Sequence, residues 1–228
     1  MNIKELLLDT IFPKNCFVCG EENDWFCEKC LEKLNIIKTQ TCYLCNRVSE
    51  KGKVCKKCKT KSNLSGVLIS CHYGGATREA IIEMKYHDVF DIAKSLSKLL
   101  INTLEENDLK NFTIIPIPLH PKKLRDRGYN QSALLAEEIS KHFNWPINTS
   151  LKKIKYTGPQ KELKARDRKN NLRGSFTWDS EDKISNVLLV DDVITTGATV
   201  EEVARILKLA GVKKIWAIAI CRGDFKQI

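Results

Sequence analysis

Two groups of residues in this chain have the types and spacing to do chemistry. The first is the run Val187-Leu188-Leu189-Val190-Asp191-Asp192-Val193-Ile194-Thr195-Thr196-Gly197-Ala198-Thr199. Its apolar opening reads as a buried strand, which ends in two adjacent carboxylates and passes through a hydroxyl-rich glycine turn into a helix. At such a turn, backbone N–H groups and the helix N-terminus converge on one point, which favours a phosphate monoester. Gly197 permits the tight bend before Ala198, while Thr195, Thr196 and Thr199 add hydroxyl donors. Asp191 and Asp192, one step earlier, are placed to accept hydrogen bonds from ribose hydroxyls. The run has neither the Gly-Lys-Ser/Thr ending of a Walker loop nor a dinucleotide fingerprint. A strand that merely ends in an acidic helix cap would explain one carboxylate and one hydroxyl, but not the whole series.

The second group is Cys16-x2-Cys19-x7-Cys27-x2-Cys30 and, after eleven residues, Cys42-x2-Cys45-x9-Cys55-x2-Cys58. Each Cys-x-x-Cys turn aims two thiolates to one side, and two turns close a tetrahedral shell around zinc. Eight thiolates serve two structural Zn2+ ions with no open position. Neighbouring turns are expected to pair, with a crossed arrangement as the alternative. Iron–sulfur ligation is the other way to use four thiolates. The two halves of this segment resemble each other weakly.

The elements that position these groups follow from length and patterning. With 228 residues, 43% hydrophobic, the chain can build one sizeable core plus an accessory unit. Residues 1–63 are expected to form an N-terminal helix (1–12) and a double zinc ribbon, with residues 64–228 as a second domain. Strands are expected at Val67–Tyr73, Phe112–Ile117, Val187–Val190 and Ile215–Ile220. Helices are expected at Ala76–Tyr86, Ile92–Leu104, Gln131–Phe143 and Thr199–Ala210, while 151–175 reads as a long basic loop. Strands alternating with helices imply an α/β fold with a parallel sheet. Cys71 and Cys221 read as core thiols, and Trp145, Trp178 and Trp216 as packing residues.

The net charge is +10, and residues 111–175 alone carry 14 basic and 5 acidic side chains. A polyanionic ligand is expected there. No apolar run approaches the ~20 residues of a spanning helix, and the N-terminus shows no cleavage pattern. A cytoplasmic protein without a membrane span is the expectation.

A second strand end, Ile114-Ile115-Pro116-Ile117-Pro118, leads into Leu119-His120-Pro121-Lys122-Lys123-Leu124-Arg125-Asp126-Arg127-Gly128-Tyr129-Asn130-Gln131. Ligands of parallel sheets collect at the carboxyl ends of strands. One end bearing acids and hydroxyls and another bearing Lys and Arg would suit a sugar between two phosphate groups. His120 is at most a weak phosphate contact. The glycine-turn run resembles the phosphoribosyl pyrophosphate (PRPP) loop of type I phosphoribosyltransferases. With the zinc ribbons, Tyr73-Gly74, Lys85-Tyr86, Arg127-Gly128-Tyr129-Asn130-Gln131, Thr157-x-x-Gln160-x-x-Leu163, Arg168-x-x-Asn171 and Phe176, the chain resembles the ComF family of competence proteins. Lys155 departs from the arginine usual there, and a lysine cannot make a bidentate phosphate fork.

The resemblance implies a type I phosphoribosyltransferase-like domain that binds PRPP with Mg2+. Asp191 and Asp192 would act on the ribose at the oxocarbenium-like stage, and the loop 195–199, Pro118, Arg125, Arg127 and Arg168 would hold the phosphates. The basic loop around Gln160, Arg166 and Arg168 would close over the site. No residue presents itself as a base for the acceptor, so pentosyl transfer is expected without a named acceptor. It also implies a role in DNA uptake during transformation, with uptake-machinery proteins as partners. The alternatives are a non-catalytic single-stranded-DNA-binding protein and a PRPP-sensing regulator. Lys122, Lys123, Tyr129, Lys164 and Arg166 are the nucleic-acid candidates. The lysines among the knuckles (51, 53, 56, 57, 59 and 61) fit nucleic-acid contact or a merely solvated face.

Overall fold

The computed structural model describes residues 14–16, 18–22, 24–86, 92–156 and 172–223. The expected helix at 1–12 lies outside them. The first Cys-x-x-Cys turn is followed by a short helix, α1 (Glu28–Leu31), and the ribbons lead into strand β1 (Gly66–His72). Helices α2 (Gly75–Tyr86) and α3 (Ile92–Glu106) come next, then β2 (Thr113–Pro116), α4 (Pro121–Arg127) and α5 (Gln131–Phe143). A small pair follows, β3 (Leu151–Lys153) and β4 (Phe176–Trp178), and the chain closes with β5 (Asn186–Ile194), α6 (Ala198–Leu209) and β6 (Lys214–Arg222).

Four strands form one parallel sheet in the order β1-β6-β5-β2, with β3 and β4 as a separate antiparallel pair. Alternate residues of a strand face opposite sides, and both sides of β5 are apolar, so both must be covered. Leu188 and Val190 pack with α2, α3 and α5, whereas Val187 and Leu189 pack with Val200, Val203 and Leu207 of α6. This is the α/β layering around a parallel sheet expected from the alternating pattern.

The two ribbons repeat one local structure. Cys16 N–H donates to the Glu21 carbonyl and Cys42 N–H to the Arg47 carbonyl, both at 2.8 Å. Each turn ends on a residue with positive φ, Gly20 in the first ribbon and Asn46 in the second. The linker between them borders the sheet, where His72 N–H donates to the Asn35 carbonyl and Ile37 N–H to the Ser70 carbonyl. The exposed edge of β1 is thereby covered in part by ribbon backbone.

Three expectations change. The strand expected at Val187–Val190 runs on through both acids to Ile194, because its pairing with β6 continues to Arg222. The segment 120–128 is a helix rather than a loop: His120 caps it, its Nδ1 accepting from Lys122 N–H at 3.2 Å, and Gly128 ends it in the left-handed region. The expected loop at 151–175 opens with β3, whose residues pair with β4. Among the described residues, no helix is long and apolar enough to cross a membrane.

Candidate functional site

Asp191 and Asp192 are neighbours with opposite electrostatics. Asp192 is 3% exposed. Its Oδ2 meets the Lys85 ammonium, and its Oδ1 accepts from Gln131 Nε2 at 3.3 Å. Burial works to raise its pKa, but the Lys85 charge and hydrogen bond outweigh that and hold the carboxyl below the ordinary range. Asp191 is half-buried, its Oδ1 accepting from Ser132 Oγ at 3.0 Å and from the Asp192 N–H at 3.0 Å. Burial and then the adjacent Asp192 charge push it up to about 8. One acid is therefore held as an anion, while its neighbour's carboxyl is displaced upward, toward neutral pH.

The glycine turn lies just past these acids. Gly197 has φ +77°, and a Cβ there would stand 2.9 Å from the Tyr43 ring, so glycine is needed both for the bend and for the close approach. Among the described residues, no carbonyl accepts from the N–H groups of Thr196 or Gly197. Asp191, Thr195, Gly197, Ala198 and Thr199 line one shallow recess of about 20 Å³. A phosphate would rest at its mouth with oxygens toward those N–H groups.

Cations gather around the acids. Lys123 is lowered by burial and then by Arg127 and Lys85, and Lys153 by burial and then by Lys123. Lys85 is raised because attraction to Asp192 outweighs its burial. Arg127 Nη1 donates to Gln131 Oε1 at 2.6 Å, linking α4 to the acid pair through one side chain. Cations close enough together to lower Lys123 and Lys153 make a ready site for a multiply charged anion.

The sequence-expected residues divide accordingly. Asp191, Asp192 and the turn 195–199 come together, and Arg127 joins them through Gln131. Arg125 and Lys122 are exposed on α4, with Lys122 5.1 Å from the Tyr156 ring centre. Pro118 lies between β2 and α4. Tyr129 is half-buried, and its hydroxyl donates to the Met84 carbonyl. Arg168, Lys164 and Arg166 lie outside the described residues. Sequence reasoning misses Lys85 and Lys153 as site residues. The pair Lys85-Tyr86 carries no chemistry of its own, and only the fold brings that helix end to β5.

The cysteines form two closed clusters, 16/19/27/30 and 42/45/55/58, so neighbouring turns pair and the crossed arrangement is excluded. Within each, the sulfurs lie within 4.8 Å of one another. Cys19 and Cys27 sulfurs are 3.7 Å apart and Cys45 and Cys55 sulfurs 3.6 Å. Zinc–sulfur bonds of ~2.3 Å place tetrahedral ligands about 3.8 Å apart, so the residues fit the ion. Desolvation opposes ionisation of Cys16, but the N–H groups of Cys27, Cys19 and Val18 outweigh it and lower the thiol to about 6. Cys42 is lowered to about 6 in the same way, by the N–H groups of Cys55, Leu44 and Cys45. Cys71 and Cys221 are buried in the sheet as expected, and burial pushes Cys71 up to about 11.

The second ribbon touches the glycine turn. Besides its ring against Gly197, Tyr43 donates its hydroxyl to Glu201 in the first turn of α6. Arg222 Nη2 donates to the Tyr43 carbonyl at 2.9 Å, and Arg222 Nη1 to Asn46 Oδ1 at 2.7 Å. The first ribbon is tied elsewhere, by Asp24 to Ser95 and, at 2.9 Å, to Lys98 on α3.

Residues 7–61 match the double zinc ribbon domain and residues 129–226 the phosphoribosyl transferase domain. Competence protein F of Haemophilus influenzae is 31% identical over 221 residues, covering 85% of this chain and 96% of that one. DNA utilization protein YhgH of Escherichia coli K12 is 32% identical, over 62% of this chain and 65% of its own. Competence protein ComFC of Bacillus subtilis is 28% identical, over 79% and 77% respectively. Among solved structures, adenine phosphoribosyltransferase of Leishmania tarentolae aligns with a TM-score of 0.39 at 12% identity, over 63% of this chain and 76% of that one.

Proposed function

The chain belongs to the ComF family of competence proteins, with a double zinc ribbon on a phosphoribosyltransferase-like domain, and we propose that it binds PRPP with Mg2+ in the service of DNA uptake. The observation that carries this reading is that Asp191 lines the glycine-turn recess while Asp192 pairs with Lys85 and, through Gln131, joins Arg127. PRPP has the matching order of groups: a 5′-phosphate, a ribose diol and a pyrophosphate.

The turn 195–199 takes the 5′-phosphate through backbone N–H groups and hydroxyls. Asp191, the more exposed acid, accepts from the ribose hydroxyls, and Asp192 fixes Lys85 toward the pyrophosphate side. Lys85, Lys123, Arg127 and Lys153 receive the pyrophosphate charge. Asp191 is the carboxylate that would help hold a Mg2+ ion arriving with the ligand, and the ion would supply positive charge beside the pyrophosphate. In pentosyl transfer, positive charge grows on the ribose as pyrophosphate leaves. The acids stabilise that charge and the cations stabilise the leaving group. Turnover also needs an acceptor, which this reading leaves as a class: a nucleophile entering beside the ribose.

Titration calorimetry with PRPP and Mg2+ tests the reading. Binding should be saturable, and Asp191→Asn/Asp192→Asn should weaken it at least tenfold with zinc content unchanged. No heat with PRPP, or equal heat with the double variant, would remove it. Release of pyrophosphate with candidate acceptors then separates a transferase from a protein that only binds. The names of the relatives support the uptake role, and loss of transformation in cells carrying the double variant is its check.

A further inference from the structure

At the end of the sheet opposite the phosphate turn lies an open cleft of about 700 Å³. Its walls come from three separate stretches of chain: the second ribbon (50–65), the α3–β2 connection (107–109) and the corner between α6 and β6 (208–216). Lys51, Lys53, Lys56 and Lys59 line it from the ribbon, and Lys208, Lys213 and Lys214 from the corner. Against them stand Glu50 and Asp108, both engaged: Glu50 pairs with Lys53 at 3.1 Å and Asp108 with Lys110 at 2.7 Å. Among the described residues, Lys56, Lys59 and Lys213 have no carboxylate partner. The convergence is tertiary, since residues about 150 positions apart share one concavity. It therefore differs from a solvated local charge run.

We propose that this cleft binds the backbone of a single-stranded nucleic acid without regard to sequence. Ammonium groups are point charges that recognise phosphates and carry no base readout. The one aromatic in the lining, Trp216, is 3% exposed and offers no stacking face, so contact is with the backbone rather than with bases. The lysines sit inside a concavity walled by the ribbon and the sheet end. A flexible strand can follow such a surface, whereas a rigid duplex meets only its rim. Lys213 and Lys214 lie at the amino end of β6, whereas the glycine turn follows the carboxyl end of β5, and Asn63 lines both the cleft and the recess beside Gly197. The cleft takes in the ribbon lysines 51, 53, 56 and 59 singled out in the sequence, but not the candidates of the basic stretch 111–175. Of that stretch, Lys123, Arg127 and Lys153 lie at the acid-pair end of the sheet. The proposal is independent of PRPP binding.

Fluorescence anisotropy with a labelled oligo-dT and the full-length, zinc-loaded chain decides it. Lys56→Glu/Lys59→Glu/Lys213→Glu should lower affinity at least tenfold. It should also reduce the slope of log affinity against log salt by about 2, at ~0.7 for each phosphate no longer neutralised on a single strand. Lys122→Glu/Lys123→Glu should leave both nearly unchanged, and a duplex of the same sequence should bind more weakly than the single strand. The triple glutamine variant, which introduces no acids, should follow the glutamate variant with a smaller loss, while both retain two zinc ions. Unchanged affinity and slope in the triple variants would overturn the proposal, as would a loss confined to Lys122→Glu/Lys123→Glu. Equal binding and full competition by polyglutamate would also overturn it, pointing instead to an acidic protein partner.

Discussion

The two ends of the parallel sheet carry the same kind of group, a basic side chain meant for phosphate, in opposite ways. At the carboxyl end charges are few, buried and tied to one another: Lys85 to Asp192, Asp192 to Gln131, Gln131 to Arg127. At the amino end they are numerous, exposed and largely without counterions. A buried network costs desolvation and is tolerable only with every partner in place, so it specifies geometry. An open lysine cleft costs little and specifies only charge. One end is suited to a single small molecule and the other to a polymer. The second ribbon reaches both, with Tyr43 at one and Lys51 to Lys59 at the other.

The largest test removes zinc from one ribbon at a time. Structural zinc contributes about 10 kcal/mol or more to small ribbon folds, so losing a ligand should unfold the local knuckle. Cys42→Ser should therefore release Tyr43 from Gly197 and scatter the cleft lysines, weakening both PRPP and oligo-dT binding. Cys19→Ser should disturb the Asp24 contacts with α3 and leave both ligands nearly unaffected. Binding of each ligand, with zinc counted per chain, gives the answer. If the two variants behave alike, the second ribbon is not the shared support.

Next in size is the contrast between single lysines. Lys85→Met strips the counterion from a buried Asp192 and should cost about 3–5 kcal/mol in urea unfolding. Lys56→Met, in the open cleft, should stay within about 0.5 kcal/mol. Similar costs at the two positions would mean that the ends do not differ as described.

Gly197→Ala follows. It forces a side chain into positive φ, at about 1–3 kcal/mol, and also presses a Cβ onto Tyr43. Stability and PRPP affinity should fall together, with oligo-dT binding unchanged. Adding Tyr43→Ala relieves the crowding but not the backbone strain, so only part of the stability should return. Full recovery would show that crowding alone was the cost.

The same contrast between local and tertiary chemistry decides what is legible in the chain. The glycine turn, the acids and the zinc clusters are readable because the necessary groups lie within a few residues of one another. The sheet is readable from apolar runs such as Val187–Val190, although its end is not: pairing with β6 carries β5 through two acids that local preference would place in a turn. Lys85 and Lys153 are invisible as site residues because nothing near them in sequence needs a cation. Their role arises when α2 and β3 are folded against β5. The cleft is half visible. The ribbon lysines stand out in the sequence, but a charge run reads the same whether it faces solvent or meets Lys213 and Lys214 from a corner about 150 residues later.

The smallest expected effect concerns the acid with the displaced pKa. Asp191 titrates near 8 in the folded chain against an ordinary value of 3.8, so the folded state holds its proton more tightly than the unfolded state does. Its contribution therefore favours folding at low pH and is lost as pH rises from about 4 through 8. Asp192, displaced downward, acts in the opposite sense and loses its contribution as pH falls. Asp191→Asn removes the first group while keeping its shape. The variant should melt above the parent at about pH 9, by roughly 2–4 °C for each kcal/mol relieved in a chain of this size. The gap should close toward about pH 5, where the parent acid is already protonated. In the same variant PRPP binding should weaken, because the amide is a poorer acceptor for ribose hydroxyls than a carboxylate. Binding to the parent near neutral pH should release close to one proton, visible in calorimetry as a dependence of heat on buffer ionisation enthalpy. No released proton, together with equal melting in alkaline buffer, would mean that Asp191 is already ionised when the ligand arrives. The carboxyl end would then hold two fixed anions rather than one anion and one proton donor.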